Sequence, residues 1–124
     1  MSEFVPFEIA KKLKEKGFRE KCMWHYYDDT KDIYKSSSPQ CYNYGGNTSD
    51  APTISQVLKW LRDEKYIHII IDFFTYIDTN KTYWYYSVKD IKDGVSYTNY
   101  MYKGKKSYEN SALAGIEYVL DNLI

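Results

Sequence analysis

Residues 66–102 hold three runs of period-two alternation separated by turn residues, and that spacing constrains the fold more than any other feature of the chain. In "YIHIIIDFFTYI" (66–77), Ile67, Ile69, Ile71 and Phe73 fall on one face, and His68, Ile70, Asp72, Phe74 and Tyr76 on the other. "DTNK" (78–81) is turn material, after which "TYWYYSVKDI" (82–91) runs back. Asp93-Gly94 is the strongest hairpin signal and predicts a third strand over 95–102. The row "TYWYYS" must put aromatic rings on both faces of this sheet. The expected split turns Trp84 and Tyr86 toward the helices beside the Ile67–Phe73 stripe, leaving Tyr83 and Tyr85 outward with Phe74 and Tyr76. A slip of one residue would exchange the two sets.

Helices flank this meander. Ile9, Ala10 and Leu13 make an apolar stripe over about 6–16, with Gly17 as a left-handed cap and Phe18 as its closing contact. "APTISQVLKWLRDEK" predicts a helix capped by Thr53, with Gln56 completing a capping box. "SYENSALAGIEYVLDNLI" predicts a third, capped by Ser107, whose Gly115 implies close packing on the sheet. "KCMWHYYDD" alternates as a strand, and "DIYKS" (32–36) is a candidate return partner. The Ser-, Gly- and Asn-rich stretch 36–50 is expected to be a flexible loop. The expected fold class is therefore α+β: one domain over 1–124, in two layers, with an antiparallel sheet of three to five strands and helices packed on one face.

Tyr supplies 15 residues of a 19% aromatic fraction, which predicts many half-exposed rings because each hydroxyl needs water or a partner. Seventeen basic and 17 acidic residues cancel, which argues against a strong pull toward nucleic acid or an anionic membrane. Charge is uneven locally: residues 81–106 carry six lysines against Asp90 and Asp93, among them Lys103, Lys105 and Lys106. The N-terminal stretch has no apolar signal core and no run is long enough to span a bilayer, so the expected location is the cytoplasm. Cys22 and Cys41 are expected to be reduced thiols.

"APTISQVLKWLRDEKYIHIII", "YENSALAGIEYVLDNLI" and "LKEKGF" resemble a family of small uncharacterised proteins encoded by phages and mobile elements of gut bacteria. That resemblance implies a genomic setting and no site residues. The order helix 53–64, three antiparallel strands, helix 107–123 also resembles a double-stranded-RNA-binding domain, in which lysines stand where "KGKKS" (103–107) stands here. The loop 78–81 departs from that family in lacking its Gly-Pro-x-His signal.

Chemistry-bearing patterns are sparse. Cys22 and His25 have half the spacing of a metal site, but on a strand they point to opposite faces, and no paired C-x2-C accompanies them. Nothing around the cysteines marks an activated thiolate. Asp28, Asp29 and Asp32 lack the glycine and terminal glutamate of a calcium loop. Gly45-Gly46 is an isolated pair, and Ser36, Ser37 and Ser38 have no nucleophile-elbow context. No catalytic residue, metal, cofactor or small-molecule substrate is expected.

Binding remains. The candidate interface is Phe74, Tyr76, Tyr83, Tyr85, Tyr97 and Tyr100, and the candidate basic patch is Lys103, Lys105 and Lys106. Exposed Tyr and Trp are enriched at interface centres, so a protein partner or self-association is the leading expectation. The alternative is nucleic-acid binding, with bases stacked on the rings and lysines on the phosphates. Scarce arginine, Arg19 and Arg62 only, weighs against it.

Overall fold

The computed structural model describes residues 4–99 and 104–124. The described chain is an α+β protein with three helices and six strands, the strands forming two antiparallel three-stranded sheets. Its contacts divide it into two compact units, Met1–Val57 with Ile124, and Leu58–Leu123.

In the first unit, α1 (Phe7–Glu15) buries Ile9, Ala10 and Leu13, the predicted stripe. Gly17 ends it at φ 89°, a left-handed conformation that costs glycine nothing, and Phe18 N–H returns to the Leu13 carbonyl at 3.0 Å. β1 (Cys22–Tyr27) is the central strand between β2 (Ile33–Gln40) and β3 (Thr48–Ala51). One face carries Trp24 and Tyr26 under Phe4 and Phe7, with Phe7 edge-on to Tyr26 at 5.5 Å. The other carries His25 paired across β3 to Asp50 and across β2 to Tyr34. The register shifts between Cys22 and Trp24, whose partners are Gln40 and Lys35, so residues 36–39 bulge from β2. The stretch 36–50 thus has strand at both ends and a loop only over 41–47. β3 escapes a pattern-based reading because "TSDA" has no apolar alternation; backbone pairing to β1 makes it a strand.

α2 (Ile54–Lys65) begins as predicted, with Gln56 N–H donating to Thr53 Oγ1 at 3.1 Å. The Gln56 side chain itself turns toward β1: its Nε2 donates to the Lys21 carbonyl at 2.8 Å and its Oε1 lies 3.9 Å from Cys22 Sγ. Tyr66 ends the helix at φ 58°, with Lys92 Nζ over its ring at 4.4 Å.

The second unit is the meander expected from the sequence. β4 (Ile67–Thr75) pairs antiparallel with β5 (Thr82–Asp90), which pairs with β6 (Ser96–Asn99). Gly94 takes φ 73° in the second turn, where Asp90 Oδ1 collects the Lys92 and Asp93 N–H groups. α3 (Tyr108–Asn122), capped by Ser107 Oγ on Asn110 N–H, packs on β4 and β5. Gly115 is the point of closest approach: a Cβ there would lie 2.9 Å from Ile69 Cγ2 and 3.2 Å from the Tyr86 ring. The predicted helix–sheet contact is therefore present.

Candidate interaction surface

The register of β4 against β5 decides which aromatics reach the face of the sheet opposite α3. Ile69 is opposite Val88, Ile71 opposite Tyr86, and Phe73 opposite Trp84. These pairs share the α3 face, where Tyr86 meets Tyr118 at 6.4 Å and Trp84 is edge-on to Tyr108 at 5.8 Å. The alternate pairs, Asp72 with Tyr85 and Phe74 with Tyr83, take the opposite face. The expected split of "TYWYYS" is the observed one.

On the face opposite α3 four rings touch, Tyr76 exposed and Phe74, Tyr83 and Tyr85 half-buried. Phe74 lies 5.9 Å from Tyr83 and 6.1 Å from Tyr85, tilted by 30° and 42°. Tyr76 stands nearly perpendicular, at 85° to Phe74 and 77° to Tyr83, with centroids 5.1 and 5.7 Å away. Two inclined faces and one upright edge make a corner, and a cavity of about 190 Å³ lined by Phe74, Tyr76, Tyr83 and Gly104 occupies it. Gly104 reaches Tyr83 so closely that a Cβ would lie 2.7 Å from the tyrosine Cβ. Backbone hydrogen bonds between Lys105 and Trp84, 2.6 and 2.8 Å, hold it there. A second cavity of about 260 Å³ shares Tyr83 and is lined by Lys81, Thr82 and Lys106.

The remaining candidates are placed differently. Tyr97 makes no ring contact with this cluster among the described residues; its hydroxyl donates to Asp90 Oδ2 at 2.9 Å and braces the β5–β6 turn. That bond raises the Tyr97 hydroxyl and holds the Asp90 carboxyl below its ordinary range. Lys106 joins Lys81 beside Tyr83, whereas Lys105 serves through its backbone bridge to Trp84. Tyr100 and Lys103 lie outside the described residues.

The first unit contains a constellation that residue spacing did not predict. His25 and Asp50 are fully buried, with His25 Nδ1 donating to Asp50 Oδ1 at 2.7 Å. His25 Nε2 lies 3.0 Å from Ser36 Oγ. These distances resemble a nucleophilic triad, but a nucleophilic serine gives its proton to the imidazole. Here the Ser36 hydroxyl has the Ser38 carbonyl at 2.7 Å and the Met23 carbonyl at 3.2 Å as acceptors. The two carbonyls compete with His25 Nε2 for the single Ser36 hydroxyl proton, and the three contacts together hold Ser36 against the strand backbone. Asp50 also accepts Tyr42 N–H at 2.8 Å, and its own N–H donates to Asn43 Oδ1 at 2.8 Å. The chain of bonds ties the β2 bulge, β1, β3 and loop 41–47 together. No local sequence signal marks it, because Ser36 and Asp50 reach His25 only through strand pairing.

Among the described residues no group of three His, Cys, Asp or Glu side chains is placed to hold a metal ion. No described helix is long and apolar enough to cross a membrane. No family model, no curated protein and no solved structure matches the chain.

Proposed function

We propose that the protein is a non-catalytic interaction module that binds a protein partner through the aromatic face of its second unit. The observation that carries this reading is the contiguous cluster of Phe74, Tyr76, Tyr83 and Tyr85 on the face opposite α3. Aromatic rings supply large contact area at little conformational cost, and here the exposed Tyr76 continues into the half-buried Phe74, Tyr83 and Tyr85 as one patch. His25 and Asp50 are fully buried, out of reach of a substrate, which favours binding over catalysis. The setting we propose, a cytoplasmic accessory protein of a phage or mobile element, rests on the likeness of the segments at 51–71 and 108–124 to that family.

Photo-crosslinking tests the surface directly. Benzoylphenylalanine at Tyr85 is expected to give protein adducts in cells, either with another protein or with a second copy. The same group at the exposed Glu64 of α2 serves as control. Adducts confined to nucleic acid, equal adducts at both positions, or none at Tyr85 would overturn the reading.

A further inference from the structure

Resting on that reading of the face, the geometry points to the chemistry of the partner: we propose that the two cavities sharing Tyr83 take an acidic protein segment bearing an aromatic side chain. The ring enters the corner of Phe74, Tyr76 and Tyr83, and the flanking carboxylates meet Lys81 and Lys106.

Size admits the ring. The corner is a hollow of about 190 Å³ open to solvent on one side, with room for a ring that fills roughly 150 Å³ when fully enclosed. Shape admits it as well, since a planar group can lie on the Phe74 and Tyr83 faces and present its edge to Tyr76, both preferred aromatic geometries. The missing side chain at Gly104 is part of this floor: a methyl there would collide with Tyr83.

Charge then selects among ligands that fit an aromatic corner. Three rings around a cavity suit a quaternary or methylated ammonium group. Lys81 and Lys106 in the adjoining cavity oppose a cation and favour an anion. Neither lysine has a carboxylate partner among the described residues. Both a polynucleotide and an acidic peptide combine planar rings with negative charge. Asp72 decides between them. It is exposed on the same face, opposite Tyr85, so a phosphate chain following the row of rings would cross a carboxylate. A peptide needs to place its carboxylates only at the Tyr83 end.

The test is fluorescence anisotropy with a labelled peptide of one phenylalanine carrying four aspartates on one side only, titrated with the full chain at low and moderate salt. Saturable binding is expected, weakened at least about tenfold, or about 1.4 kcal/mol, by each of three changes. These are Lys81→Glu with Lys106→Glu, Tyr83→Ala, and alanine for phenylalanine in the peptide. Both lysines are exposed, so the lysine variant keeps its fold, which circular dichroism verifies. The inference is overturned if a peptide with lysines for aspartates binds equally, or if the lysine variant binds the acidic peptide unchanged. Tighter lysine-dependent binding of single-stranded oligothymidine transfers the site to nucleic acid and also overturns it. Failure of every peptide, with protein adducts still forming at position 85, sinks this inference and leaves the interaction surface standing.

Discussion

Gly115 offers the sharpest test of how α3 is seated, because two effects of known sign compete there. Alanine in a helix interior is favoured over glycine by about 1 kcal/mol, so a loosely packed helix gains stability from Gly115→Ala. In the observed packing the new methyl lies 2.9 Å from Ile69 Cγ2 and 3.2 and 3.3 Å from two carbons of the Tyr86 ring. Carbon atoms prefer separations of roughly 3.5–4.0 Å. Relief is hard to find, since Ile69 is buried and its Cγ2 is attached directly to the branched Cβ. The helix must lift, at an overpacking cost of about 1–3 kcal/mol. The expected net effect is destabilisation by about 1 kcal/mol, read as a lower urea midpoint at unchanged slope. Ala114→Gly, one residue away and half-buried, measures the propensity effect with little packing change and is expected to lose about 1 kcal/mol. Ile69→Ala removes the opposing methyl, so the double variant should be more stable than the two single losses predict. A stabilised Gly115→Ala protein refutes the close approach of α3 to the sheet.

Three further outcomes follow from the first unit. Asp50→Ala strips His25 Nδ1 and Tyr42 N–H of a buried acceptor and should cost about 2–6 kcal/mol, roughly 1–3 for each donor left unsatisfied, against about 1 kcal/mol for Ser36→Ala; an Asp50→Ala loss below that of Ser36→Ala in urea unfolding contradicts the tie. Burial, with smaller contributions from the Asp50 and Cys41 charges, pushes the Cys22 thiol up to about 12. Cys22 should therefore resist iodoacetamide at pH 8 until urea unfolds the chain, and mass spectrometry showing native labelling would refute this. Burial works to raise the Asp28 carboxyl, but hydrogen bonds from Ser49 and Lys11 and the charges of Lys14 and Lys11 together hold it below its ordinary range. Its stabilisation is present above the unfolded carboxyl value of about 3.9 and is lost as pH falls through the lower folded value. Lys14→Met should thus flatten the fall of the urea midpoint between neutral and acid pH, and a fall as steep as in the wild type refutes the coupling.

What could be read from the chain beforehand divides along a physical line. The meander 66–99, the three helices and the inward turn of Trp84 and Tyr86 follow from periodicity and caps, which act between residues a few positions apart. Hydrophobic demand amplifies that local signal: shifting β5 by one residue would bring Tyr83 and Tyr85 under α3 and expel Val88, which is fully buried. The first unit lacks such a signal over 36–51. Its β3 is polar, its bulge at 36–39 is invisible to a period-two pattern, and its cohesion comes from hydrogen bonds between residues 7 to 25 positions apart. The same limit applies to the surface. Alternation identified Phe74, Tyr83 and Tyr85 as outward-facing, but the corner also needs Gly104 and Lys106, which reach Tyr83 only because Lys105 pairs through its backbone with Trp84. Of the lysines read as a basic patch, Lys105 pairs through its backbone with Trp84 and Lys106 lines a cavity with Lys81 and Tyr83, so charge and aromatic corner adjoin on one surface.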